Sequence, residues 1–90
     1  MAKKRERLEV INDILKVIRE NDNHIKPTRL LYASNLSPQM FKEYIEELIS
    51  KKFIMQNEYE GKKTYSLTDK GYQFLEKYKT ILDLIENFGL

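Results

Sequence analysis

The sequence predicts an α+β chain, mostly helical, with three helices, a two-stranded hairpin and a C-terminal fourth helix. Three observations carry this reading. The run from Ser37 to Lys52 has a clear helical start and a buried stripe: Ser37 suits an N-cap, Pro38 suits the first helical position, and Phe41, Ile45 and Leu48 recur at helical spacing with Tyr44 and Ile49 beside them. Residues 53–60 then alternate apolar and polar with a period of two, and Thr64 to Thr68 returns as a β-forming run beyond Gly61. Before and after these stretches, apolar residues recur every three or four positions.

In chain order, residues 1–6 read as a basic tail and residues 7–90 as one domain. The first helix covers about Arg7 to Glu20, with Leu8, Ile11, Leu15 and Ile18 as its stripe and Val10, Ile14 and Val17 widening it. Asn21-Asp22-Asn23-His24 ends it in a turn. His24 reads as a loop residue, since a lone His without Cys does not make a metal site. Ile25 and Lys26 form a short extended entry to a second helix, which Pro27 and Thr28 open and which ends near Ser34. Asn35-Leu36-Ser37 turns into the third helix, which ends near Lys51-Lys52. A short helix, a three-residue turn and a capped helix make a helix-turn-helix. The following hairpin, with Gly61, Lys62 and Lys63 as its turn, is then a wing, so the fold is a winged helix-turn-helix. Thr68 or Asp69 caps the last helix, about 69–88, with Gly71 placed for close backbone packing and Gly89 at the stop.

Composition narrows the function classes. Net charge is +2 and no Cys is present, which rules out disulfides and thiolate chemistry and suits a reducing cytoplasm. No apolar run approaches the roughly 18 residues of a membrane span. No nucleophile triad, phosphate loop, metal spacing or paired acid/base set is present, so neither an enzyme nor a cofactor is expected. Charge is uneven: residues 1–7 hold four basic residues against one acidic, whereas residues 37–50 hold one Lys against three Glu.

These features point to double-stranded DNA. Lys3, Lys4 and Arg5 form an arm for phosphates, and Lys26, Thr28 and Arg29 sit where a helix-turn-helix crosses the backbone. Ser37, Gln39 and Lys42 occupy the first turn and a half of the third helix, where free N–H groups suit a phosphate and Gln39 suits adenine. Lys62, Lys63 and Thr64 at the hairpin tip complete the set as backbone contacts, which add affinity but little sequence choice. Glu43, Glu46 and Glu47 oppose deep entry of the helix into a groove. The stripe Phe74, Tyr78, Ile81, Leu82, Ile85 and Phe88 is wider than one packing face needs, so it serves either an intramolecular core or a second copy of the chain.

The run Lys26 to Ser37, the segment Tyr44-Ile45-Glu46-Glu47-Leu48-Ile49 and the segment from Tyr65 to Gly71 together resemble small archaeal winged-helix proteins, most closely the 10a family of DNA-binding proteins. The resemblance spans residues 5 to 80. It implies duplex DNA binding, dimerisation through a long C-terminal helix in an antiparallel coiled coil, a chromatin-type or regulatory role, and a place at the nucleoid. A last helix of about 20 residues spans only about 30 Å, shorter than a long coiled coil requires. The alternative is a winged-helix protein-interaction module without significant DNA affinity, which the Glu-rich third helix favours.

Overall fold

The computed structural model describes residues 6–89, so Lys3, Lys4 and Arg5 lie outside the described residues. Helix α1 (Arg7–Glu20) buries Val10, Ile11, Ile14, Leu15 and Ile18 along one stripe. Leu8, expected in that stripe, is 54% exposed, because the stripe continues N-terminal of the layer that covers it. Asp22 and Asn23 adopt positive φ of 59° each, a region Asn and Asp tolerate better than other side chains. The chain thereby turns sharply, and the Ile18 carbonyl accepts from the Asn21 and Asn23 N–H groups. Asn23 Oδ1 then accepts the Leu67 N–H at 2.7 Å, which ties this loop to the hairpin.

Ile25 bridges antiparallel to Tyr65, each N–H donating to the other's carbonyl at 3.1 and 2.9 Å. Helix α2 (Pro27–Ser34) follows and stops at Asn35, whose φ of 57° is left-handed. Helix α3 (Pro38–Ser50) is capped as its sequence implies, with Ser37 Oγ accepting the Met40 N–H at 3.2 Å. It ends at Ser50 because Lys52 turns left-handed, with φ 67°. The Lys52 and Phe53 N–H groups close on the Ile49 and Leu48 carbonyls at 3.1 and 2.9 Å, which satisfies the last turn.

Strands β1 (Ile54–Tyr59) and β2 (Lys62–Leu67) pair antiparallel, from Ile54 opposite Leu67 to Tyr59 opposite Lys62. The turn is only Glu60-Gly61, with φ of 51° and 76°. A two-residue turn with both φ positive matches the twist of the strands. Lys62 and Lys63 are therefore strand residues opposite Tyr59 and Glu58, a correction to their expected place in the turn. Beyond Ile54, β1 is exposed on both faces, so its alternating pattern sorts nothing inward. Thr64 to Leu67 of β2 are all buried. Ile25 flanks β2 on the edge opposite β1, and both α1 and α4 pack against it.

Helix α4 (Asp69–Asn87) starts at Thr68, whose Oγ1 accepts the Gly71 N–H at 3.2 Å. The Thr68 N–H donates to the Phe53 carbonyl at 3.1 Å, and its hydroxyl is shared between the carbonyls of Lys52 at 2.5 Å and Phe53 at 3.1 Å, which joins the end of α3 to the start of α4. Phe53 meets Phe74 edge-on at 5.8 Å, and Phe74 stacks on Tyr78 at 5.7 Å. Burial raises the Tyr78 phenol above the usual tyrosine range, and the carboxylates of Glu9, Asp13 and Glu6 add to the shift. Ile14, Leu15, Ile18, Leu30, Leu48 and Ile54 form the fully buried centre.

A Cβ on Gly71 would overlap the Phe53 carbonyl oxygen and lie 3.3 Å from Leu67 Cδ2. The first obstacle is backbone and cannot swing aside. Gly71→Ala is therefore expected to cost about 2–4 kcal/mol, read as a lower midpoint in urea with unchanged slope. An unchanged midpoint would show that the α3–α4 junction is looser than this contact requires.

Candidate nucleic-acid interface

The predicted contacts divide into three groups. The first lies on α2, where Lys26, Thr28 and Arg29 are all exposed. They share an open surface recess of about 640 Å³ with Tyr32 and Ala33. Tyr32, which the sequence reading did not count as a contact, is 79% exposed. Its spacing from Thr28, four residues on a helix, was the available signal, because it places both on one face.

The second group is the wing. Lys62 lines a recess together with Lys26 and Arg29, so β2 and the start of α2 bring three cations together, beside the carboxylates of Glu20, Asp22 and Glu60. Lys63 belongs to the opposite face, with its ammonium 5.5 Å from the centroid of the Tyr65 ring. The two lysines therefore flank the wing rather than forming one tip. Thr64 is only 3% exposed, and its hydroxyl is covered and has no hydrogen-bond partner. Its assignment as a DNA contact is corrected: it lies on β2 beside the Ile25–Tyr65 bridge, inside the protein rather than at an exposed tip.

The third group is the start of α3. Pro38, Gln39 and Lys42 are exposed there, together with Met40. The Ser37 oxygen is already engaged in capping. Gln39 Nε2 donates to Glu43 Oε2 at 2.9 Å, leaving its carbonyl oxygen and second N–H available. Glu47 is paired with Arg7 and with Lys51, the latter at 2.8 Å. Arg7 also lies 5.9 Å from the Tyr44 ring centroid. The acidic character of α3 is thus partly neutralised within the chain, through the first residue of α1. Glu43 and Glu46 remain exposed.

The structure splits the proposed dimer stripe. Phe74 and Tyr78 are half-buried in the aromatic row that starts at Phe53. Ile81, Leu82, Ile85 and Phe88 are exposed, as is Leu84, and Phe88 reaches 74%. The described residues of this chain thus leave the distal half of the stripe open. Among the described residues, no group of three or more His, Cys, Asp or Glu is placed to hold a metal, and no helix is long and apolar enough to cross a membrane.

A capped recognition-type helix, a preceding short helix and a two-stranded wing define a winged helix-turn-helix. A winged helix-turn-helix family model matches residues 4–86, and the chain belongs to that family. Among curated relatives, the uncharacterized protein MJ0287 of Methanocaldococcus jannaschii is 40% identical over 83 residues, which is 92% of this chain and 76% of that protein. The uncharacterized protein MJ0290 of the same organism is 34% identical over 82 residues, 91% of this chain, and this chain spans only 36% of its length. Among solved structures, Sso10a-2, a DNA-binding protein from Sulfolobus solfataricus, superposes with a TM-score of 0.74 at 21% identity, covering 93% of this chain and 85% of that one. A winged-helix DNA-binding protein from STIV superposes with a TM-score of 0.73 at 25% identity, covering 88% and 91%. A MarR family transcriptional regulator from Silicibacter pomeroyi gives 0.74 at 14% identity, covering 89% and 55%. The Methanocaldococcus jannaschii relatives and the first two structures match the archaeal winged-helix resemblance that the sequence carries.

Proposed function

We propose that this protein binds double-stranded DNA, mainly through phosphates, as a regulatory or chromatin-type winged helix. The observation that carries the reading is the convergence of Lys26, Arg29 and Lys62 from two elements onto one face. Glu20, Asp22 and Glu60 line the same recess, so phosphates would meet its cations one by one rather than a uniformly positive surface. The described neighbours Sso10a-2 and the STIV protein, both DNA-binding, support it. In this reading α2 and the wing hold the backbone, and Lys63 meets the strand on the wing's other side. The first turn of α3 lies in or over the major groove, with Gln39 and Met40 toward base edges and Glu43 and Glu46 limiting its depth. The basic residues 1–5 add nonspecific affinity. The protein acts by binding rather than by catalysis, without a metal or cofactor, in the cytoplasm or at the nucleoid. The exposed carboxylates of α3 are the feature that favours the rival reading, a protein-interaction module.

The distal half of α4 supplies the second part of the proposal, a homodimer. Ile81, Leu82, Leu84, Ile85 and Phe88 form an apolar surface that no described residue of the chain covers. A two-fold pairing of this helix buries it on both copies and fixes the distance between the two wings.

Replacing Lys62 and Lys63 together by Glu should weaken duplex binding by about tenfold or more and flatten the log-affinity against log-salt slope by about 2 units. Unchanged affinity would remove the wing from the interface. Ile85→Glu should convert a dimer to a monomer in sedimentation equilibrium while shifting monomer stability by less than about 0.5 kcal/mol, because that side chain is exposed within one chain. A dimer that survives the substitution would move the contact away from α4.

A further inference from the structure

One feature is left over by DNA binding. The recess of about 450 Å³ between the α1–α2 loop, the start of α2 and the hairpin tip has Thr64 in its lining. The Thr64 hydroxyl is buried without a hydrogen-bond partner. An unpaired hydroxyl in a protein interior is unfavourable unless something else completes it. Threonine reaches more than one χ1 well, and a ligand in the recess would meet this hydroxyl only after a rotation that brings it there.

The charges around the recess are sorted by element. Glu20 ends α1, Asp22 lies in the loop after it, and Glu60 lies in the hairpin turn. Lys26 and Arg29 open α2, and Lys62 opens β2. The helix ends reinforce this pattern: α1 presents its C-terminal, negative end, and α2 presents its N-terminal, positive end. The start of α2 also has no side-chain cap, so the Thr28 and Arg29 N–H groups lack an acceptor within the helix. Stacked rings of His24 and Tyr59, with centroids 4.5 Å apart, join the loop to the wing and form part of the same lining.

A field of this kind does not favour a simple anion, because three carboxylates share the recess with three ammonium or guanidinium groups. It favours a small molecule that carries both charges. We propose that this recess binds a free α-amino acid, its carboxylate toward Lys26, Arg29, Lys62 and the Thr64 hydroxyl, its ammonium toward Glu20, Asp22 and Glu60. Lys26, Arg29 and Lys62 are also the proposed phosphate contacts, so an amino acid bound here competes with DNA, and by reciprocity DNA weakens the amino acid's binding by the same factor.

The test needs no DNA, so its outcome is separate from that of the DNA reading. Each proteinogenic α-amino acid is added singly to the full chain, with acetate, ethylammonium and inorganic phosphate as controls, and the amide resonances of Arg29, Lys62 and Thr64 are followed by NMR. At least one amino acid should move these resonances with an affinity at least about tenfold above any control. Thr64→Val should weaken that binding by about tenfold while its melting temperature stays at or above that of the parent, and Thr64→Ser should retain it. The proposal is overturned if no amino acid exceeds the controls. Phosphate binding as tightly as the best amino acid would reduce the recess to a plain anion site. Undiminished binding by a folded Thr64→Val would remove the hydroxyl from it.

Discussion

The Phe53 carbonyl is the constraint on which the rest of the structure depends. It receives the N–H of Thr68, whose hydroxyl is shared between it and the neighbouring Lys52 carbonyl, and Gly71 packs directly over it. One oxygen thus joins the exit of α3, the return of the hairpin and the entry of α4. Two adjacent carbonyls meeting one threonine fix direction as well as distance. Lys70 reinforces the same corner, donating to the Lys51 carbonyl at 2.8 Å with its ammonium 4.5 Å from the Phe53 ring centroid. The wing and the last helix consequently leave the core along set directions, and a pair of subunits joined by α4 would hold its wings at a defined separation.

The second determinant is how β2 is held. It is the only strand with a neighbour on both edges among the described residues, with β1 on one side and Ile25 on the other. Asn23 extends that outer edge with a side-chain oxygen in place of a backbone carbonyl. This anchors the root of the hairpin while its outer half stands in solvent with lysines on both faces. It also brings the start of α2 beside the wing, and so gathers Lys26, Arg29 and Lys62. The gathering of these cations is thus a consequence of one short bridge, not of high net charge, which is only +2.

Much of this was readable from the residues because local signals agreed with the global fold. Ser37-Pro38 placed the start of α3, and Gly71 marked a close approach that the Phe53 carbonyl explains. What escaped the sequence depended on partners distant along the chain. Thr64 looked like a hairpin-tip residue, since nothing in its neighbourhood announces that Ile25 will lie alongside it. The turn appeared longer than it is because Glu60 gives no sign of adopting positive φ. The Glu-rich face of α3 looks more acidic in sequence than it is in the fold, because Arg7, forty positions away from Glu47, neutralises part of it. Leu8 and the distal stripe of α4 read as equally apolar stretches of helix, and only the packing shows where cover ends.

The most direct measurement of DNA binding is a fluorescence anisotropy titration of a pooled mixed-sequence duplex across a salt series. Four cations, Lys26, Arg29, Lys62 and Lys63, meet the backbone in the proposed complex. Phosphate-led binding then predicts measurable affinity at low salt and a log–log slope of about −3 to −4 per subunit from these four, steeper with the arm of Lys3, Lys4 and Arg5, since each contact contributes about −0.9. Absence of binding at the lowest salt, or an affinity indifferent to salt, would contradict it and leave the exposed carboxylates of α3 as the surface on which a protein partner docks.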